Sequence, residues 1–252
     1  MESWFADAKR LASLDAEICF LLHEDFYFGA DSYPEVADRN EVESLPSPNF
    51  ARNVPSMVRS KEAVGHEEEL VNYYREVVRV ARKHRKTFND IRHYFWLRFW
   101  LWNTKEDIHI VFPWYDTFSE IDRFLGSVNE NKEGQIFWDT DQGWELEVHA
   151  SDGDLFARVR NPDDDEAHAV VKFSKRMLVE QLQPLRSRTE SLIRFLSLAI
   201  GRDVWTSHVE WPDFCPLEPT ETKDRHAWWN PWKGRKKRRT RAASFPAIQS
   251  SF

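Results

Sequence analysis

Several common protein classes are excluded by what this chain lacks. Among 252 residues there are only two cysteines, Cys19 and Cys215, and eight glycines. Two widely separated thiols build neither a disulfide framework nor a structural zinc site. They point to a reducing compartment, with both side chains as small core fillers. So few glycines exclude collagen-like and Gly/Ser-rich classes, and neither a Walker loop, a dinucleotide fingerprint nor a Gly-x-Ser-x-Gly elbow occurs. No run approaches the roughly 18 apolar residues of a membrane span; the densest, Tyr94 to Trp102, is broken by Arg98. The opening Met-Glu-Ser-Trp-Phe-Ala-Asp has acids where a secretory signal needs bases. The expectation is a cytoplasmic protein without a transmembrane segment.

What is present is apolar mass and uneven charge. Hydrophobic residues make up 41% and charged residues 31%, with twelve tryptophans, so a real core can form beneath a charged surface. The net charge of −7 hides an asymmetry. Seven bases fall between Lys233 and Arg241, and no acid follows Asp224, so the chain through Trp232 has 28 bases against 42 acids, a net of −14. At about 150 residues per domain, the pattern reads as one α+β domain over 1–210, including an irregular arm at 29–61. A Pro/Trp-rich segment ending in a basic, disordered tail is expected over 211–252.

Spacing of apolar residues predicts the elements. Trp4, Ala8, Leu11, Leu14, Ile18 and Leu22 recur at helical intervals, predicting a helix over 3–22. A second is expected from Val64 to about Arg85, with Glu67–Glu69 at its start and Arg82, Lys83, Arg85 and Lys86 at its end, matching the helix dipole. A basic groove is the sharper reading of those bases. The period then falls to two over 93–102, a strand with both faces apolar. Further strands are expected over 108–114, 135–139, 144–150, 155–160 and 168–173, with Asp152-Gly153 as a hairpin turn. A helix capped by Asp116 or Thr117 should end at Gly126, and a helix capped by Ser174 should be interrupted at Pro184 and stop at Gly201. The predicted architecture is a six-stranded, mainly antiparallel meander with helices before, within and after it.

Candidate chemistry is sparse. His208-Val-Glu210 followed by Pro212 and Cys215 has the outline of a zinc deaminase motif, but the further cysteine ligand that such a zinc requires is missing. Asp139, Asp141, Glu145 and Glu147 surround one hairpin, and clustered carboxylates can hold Mg²⁺. Glu145 and Glu147 share one strand face, however, and are expected to be its solvated side. No metal, cofactor or catalytic set is assigned. Asp163, Asp164 and Asp165 form either a polar turn or a contact for a basic partner. In the tail, Trp228, Trp229 and Trp232 precede Lys233, Arg235, Lys236, Lys237, Arg238, Arg239 and Arg241. Aromatics beside cations suit single-stranded nucleic acid or an anionic membrane surface.

The segment Gly134-Gln-Ile-Phe-Trp-Asp-Thr-Asp-Gln-Gly-Trp-Glu-Leu-Glu-Val resembles the hairpin of bacterial immunity-type proteins of polymorphic or contact-delivered toxin systems. The similarity covers about 92–205 and is one of style, acidic, Trp-rich and hairpin-built; it carries over no functional residue. It implies a small cytoplasmic α+β protein that neutralises a cognate toxin. The charge reads the same way: a −14 body suits capture of a basic protein such as a nuclease. The expected function is therefore non-enzymatic inhibition of a basic toxin, with Asp139, Asp141, Glu145, Glu147 and Asp163–Asp165 as contacts. A nucleic-acid-associated protein acting through the tail is the alternative, and an enzyme with a dispersed carboxylate site the third reading.

Overall fold

A computed structural model of the chain describes residues 3–29, 41–112, 117–130, 132–141, 143–163 and 167–206. All lie in one compact unit, Met1–Pro216. The tail residues Trp228, Trp229, Trp232, Lys233, Arg235, Lys236, Lys237, Arg238, Arg239 and Arg241, the His208–Cys215 segment, and Asp164 and Asp165 lie outside the described residues.

A 3-10 turn, Ser3–Asp7, opens the chain. Strands β1 (Lys9–Arg10), β2 (Asp15–Leu21), β3 (Asp25–Tyr27), β4 (Val42–Ser44) and β5 (Met57–Arg59) follow, then the short α1 (Ser60–Ala63) and the long α2 (Glu67–Lys83). After α3 (Phe88–Ile91) and a 3-10 turn over Arg92–Phe95 come β6 (Leu97–Asn103), β7 (Ile108–Val111) and α4 (Phe118–Asn129). The chain continues through β8 (Gly134–Asp141), β9 (Trp144–Ser151), β10 (Asp154–Arg160), β11 (Ala167–Ser174) and α5 (Lys175–Ile200). The class is α+β. No helix among the described residues is long and apolar enough to cross a membrane.

The strands do not form one six-stranded meander. They divide into a five-stranded sheet ordered β1-β11-β10-β9-β8, a four-stranded sheet ordered β5-β2-β6-β7, and the ribbon β3-β4. The hairpins β8 to β11 are antiparallel as expected, but β1 joins β11 in parallel. The missing partner was the N-terminal segment, which is not a helix. Its Ile18 and Phe20 enter the main core while Cys19 and Leu21 pack with Trp96, Trp100 and Trp102 on the other face. A central strand covered on both sides reads as a continuous apolar run, and helical spacing can be picked out of such a run by chance. β2 pairs with β6 in the register Cys19↔Arg98, which removes β6 and β7 from the hairpin sheet.

Elsewhere the local signals act as physics requires, with three further corrections. The β6 strand begins at Leu97 because Thr87 and Asp90 cap α3 reciprocally, and the helical turn runs on through Phe95. Gly126 lies inside α4, which continues to Asn129. Its start at Thr117 holds, with the Glu120 carboxylate accepting from the Thr117 amide at 2.7 Å. Pro184 lies within a continuous α5, where apolar residues on both sides of it, Leu178, Leu182, Leu185, Leu192, Ile193 and Leu196, are buried in one core and outweigh one lost backbone bond. Gly201 ends that helix with φ +87°, a conformation open to glycine.

The arm is not wholly irregular: its described part contains β4 and β5. It is tied to the basic end of α2. Glu43 accepts from Arg79 at 3.0 Å and Lys83 at 2.7 Å and meets His84 at 3.1 Å. The bond from Lys83 above all pulls the Glu43 carboxyl down to about 2. Lys86 donates to the Gly29 carbonyl. Two of the four bases at this end, Lys83 and Lys86, therefore engage the chain's own arm.

Candidate functional site

The β8–β11 hairpins present two faces. Leu146, Val148, Leu155, Ala157, Val171 and Phe173 enter the core. On the other face the register places Glu145 opposite Arg160, Glu147 opposite Arg158 and His149 opposite Phe156. Arg160 donates to both Glu145 oxygens at 2.8 and 3.1 Å. Glu147 accepts from Arg158 at 2.6 Å and Gln135 at 3.3 Å, and meets His149 Nε2 at 2.6 Å. Over this ladder sits the N-terminal 3-10 turn, where Phe5 stacks on Phe156 at 4.2 Å and Arg158 lies 4.9 Å from the Trp4 ring.

Glu145 and Glu147 are consequently only 7% and 8% exposed, which corrects the expectation of a solvated face. Burial pushes the Glu147 carboxyl up, but the hydrogen bonds from His149 and Arg158 outweigh it and hold the group below its usual range. Strand alternation located the face correctly but could not show what covers it. The usable signal was Arg158-Val-Arg160, which repeats in bases the Glu145-Leu-Glu147 pattern across the hairpin.

The remaining candidates gather at one end of this sheet. Asp139 and Asp141 are among the last residues of β8, and Asp163 is exposed just beyond β10. The two loops are close: a Cβ built on Gly143 would lie 3.8 Å from Asn161 Oδ1. Asp139 accepts from the Thr140 amide at 2.8 Å. Beside them Trp138 is 55% exposed on β8, the terminal strand of the sheet among the described residues. Among the described residues, no group of three or more His, Cys, Asp or Glu is placed to hold a metal ion. Neither the family models, the curated proteins nor the solved structures with which the chain was compared include a match.

One titratable pair was not legible in the sequence. His23, after β2, and His93, in the 3-10 turn before β6, approach edge to face with centroids 5.4 Å apart. Tyr94 lies 4.7 Å from the His23 ring and 4.2 Å from that of His93. Burial lowers both imidazoles, His93 to about 4, where the charges of His23 and Arg92 add to the effect. Between 6.5 and about 4 the unfolded chain therefore binds a proton that native His93 refuses. This contribution to stability is complete above 6.5 and falls as the pH drops to about 4. His93→Gln should flatten the decline of the urea midpoint across that window while the carboxylates titrate as before. Parallel pH profiles for the two proteins would refute this account.

Proposed function

We propose that the protein is a non-enzymatic binding module, an immunity- or antitoxin-like inhibitor of a basic toxin, acting in the cytoplasm. The observation that carries this reading is the end of the five-stranded sheet, where Trp138 is exposed on β8 near its last residues Asp139 and Asp141, and Asp163 is exposed on the loop after β10. Acidic loops attract a basic surface over about 10 Å in 0.1 M salt. An exposed tryptophan supplies the desolvated anchor that dominates many interfaces. Among the described residues β8 is the terminal strand of its sheet, and its outer edge offers a row of backbone groups to which a partner strand can bond. Glu145 and Glu147 drop out as direct contacts, since Arg160 and Arg158 already neutralise them. The same pairing weighs against a carboxylate active site on that face.

The test is association with the protein encoded by the adjacent reading frame, measured with and without its toxic activity. Trp138→Ala should weaken the complex by about 2 kcal/mol or more while shifting stability by less than about 0.5 kcal/mol. Lysine at Asp139 and Asp163 should slow association, and raising the salt should slow the native pair more than this variant. A salt-independent rate, or an unaltered affinity for Trp138→Ala, removes this end of the sheet from the account. The nucleic-acid reading rests on Trp228, Trp229 and Trp232 beside seven bases. Deleting 233–252 should leave neutralisation intact; tight, tail-dependent gel shifts with no protein partner would favour that reading instead.

A further inference from the structure

Among the described residues β8 is a long strand for the outside of a sheet. It offers eight residues, Gly134–Asp141, whereas β1 at the opposite edge has two. Backbone groups on alternate residues of an antiparallel strand point to alternate edges. Thr140 marks those that point outward, because its amide donates to the Asp139 carboxylate at 2.8 Å instead of to β9. Trp138, two residues earlier, turns its N–H and C=O the same way. A register shift between Gln135 and Phe137 interrupts the ladder upstream, so the regular stretch of edge runs from Phe137 to Asp141.

Side chains alternate along the same stretch. Trp138 and Thr140 stand opposite Glu147 and Glu145, on the arginine-paired face. Phe137 stands opposite Val148 and packs on Phe112 and Phe124 at 4.9 and 5.4 Å, on the core side. Asp139 and Asp141 hold the next two positions of that side. A strand laid along this edge therefore meets an aromatic and hydroxyl flank on one face and an acidic flank on the other.

We propose that β8 takes an extended segment of a protein partner as a further strand of this sheet, one that alternates basic and apolar side chains. Its bases, two residues apart, lie beside Asp139 and Asp141, and its apolar side chains lie beside Trp138. This rests on the toxin-inhibitor reading and names the part of the partner that is held. The acid makes the edge selective. In the free chain the Asp139 carboxylate occupies the outward Thr140 amide. A lysine or arginine that draws the carboxylate to itself releases that amide for a ladder bond, and a neutral strand cannot. A second copy pairing edge to edge would bring its own Asp139 and Asp141 to the same flank, where like charges repel.

The test is a titration of the full-length protein with acetyl-Thr-Val-Arg-Val-Arg-Val-Thr amide and its isomer acetyl-Thr-Val-Arg-Arg-Val-Val-Thr amide, followed through the Trp138 and Thr140 amide resonances. Saturable shifts are expected, with the alternating peptide binding at least about tenfold tighter than the isomer. Of two copies of that peptide N-methylated on alternate residues, the one blocked on its inward edge should lose binding and the other keep it. Thr140→Pro removes one outward N–H from an edge strand and should weaken binding about tenfold with melting unchanged. If that variant does not fold, the N-methylated pair decides alone. Equal binding of the two isomers, or binding kept by both N-methylated copies, overturns the proposal. So does a Trp138 amide already protected from exchange in the free protein. Protection lost on dilution would then assign the edge to a second copy, and protection that persists to the chain's own basic tail. None of these outcomes involves the product of the adjacent reading frame, so the association test of the toxin-inhibitor reading stands apart from them.

Discussion

Replacing Arg188 with methionine is expected to cost about 3–5 kcal/mol of folding stability, read as a fall in the urea midpoint at constant slope. The reason is Glu17, a carboxylate only 1% exposed on β2. Arg188 Nη2 lies 2.9 and 3.2 Å from its two oxygens, and Arg188 Nε donates to Ser60 Oγ at 2.8 Å. Ser60, at the start of α1 and fully buried, donates in turn to Glu17. One network thereby ties β2, α1 and α5 together. Without the guanidinium, Glu17 stays buried with a single hydroxyl and its neighbour's amide.

The double replacement Glu17→Leu with Arg188→Met separates two accounts. If the single variant's loss is that of a stranded charge, removing both groups should recover much of it, because a packed apolar pair substitutes well for a buried ion pair. A double variant as unstable as the single one would mean that the stem of Arg188 matters through packing. A single-variant loss below about 1 kcal/mol would place the pair with surface ion pairs instead, as the 27% exposure of the Arg188 side chain permits.

The contrast between β9 and β2 explains how much was legible. In α2 one face is buried and the other polar, so helical spacing and terminal charges agreed, and the element runs Glu67–Lys83, within the expected 64–85 but without Val64, which is exposed before it. The β9–β10 hairpin was legible because Asp152 and Gly153 both adopt positive φ, the demand of a tight hairpin turn. β2 was not, because both its faces are covered and its partner β6 is distant in sequence. The acidic hairpin was half legible. Alternation identified which residues share a face, yet whether that face meets water or arginine depends on a neighbouring strand and on Trp4 and Phe5 folding over it. The His23–His93 pair left no sequence signal, since its two rings come from segments that only the tertiary fold brings together.

Trp205→Ala should be as damaging as the loss of Arg188, about 3–5 kcal/mol. The composition changes just beyond this residue, which makes it look like the margin of the domain, but it is fully buried. Its ring packs edge-on against Tyr74 at 5.0 Å, Phe95 at 5.6 Å and Phe20 at 6.5 Å, joining α2, the turn before β6, and β2. Its backbone completes a second task. The Trp205 and Thr206 carbonyls accept from the Phe118 and Ser119 amides at 2.8 and 3.0 Å, satisfying donors that the first turn of α4 cannot pair within the helix. Asp203 holds this segment in place, accepting from the Trp205 and Thr206 amides. The substitution should therefore speed hydrogen exchange at Phe118 and Ser119 beyond the global loss of stability, because the cap moves when its anchor is gone. Leu198→Ala is the matched control: Leu198 lies seven residues earlier at 78% exposure, and its loss should cost under about 0.5 kcal/mol. Equal costs for the two substitutions would show that the segment after α5 does not anchor the core.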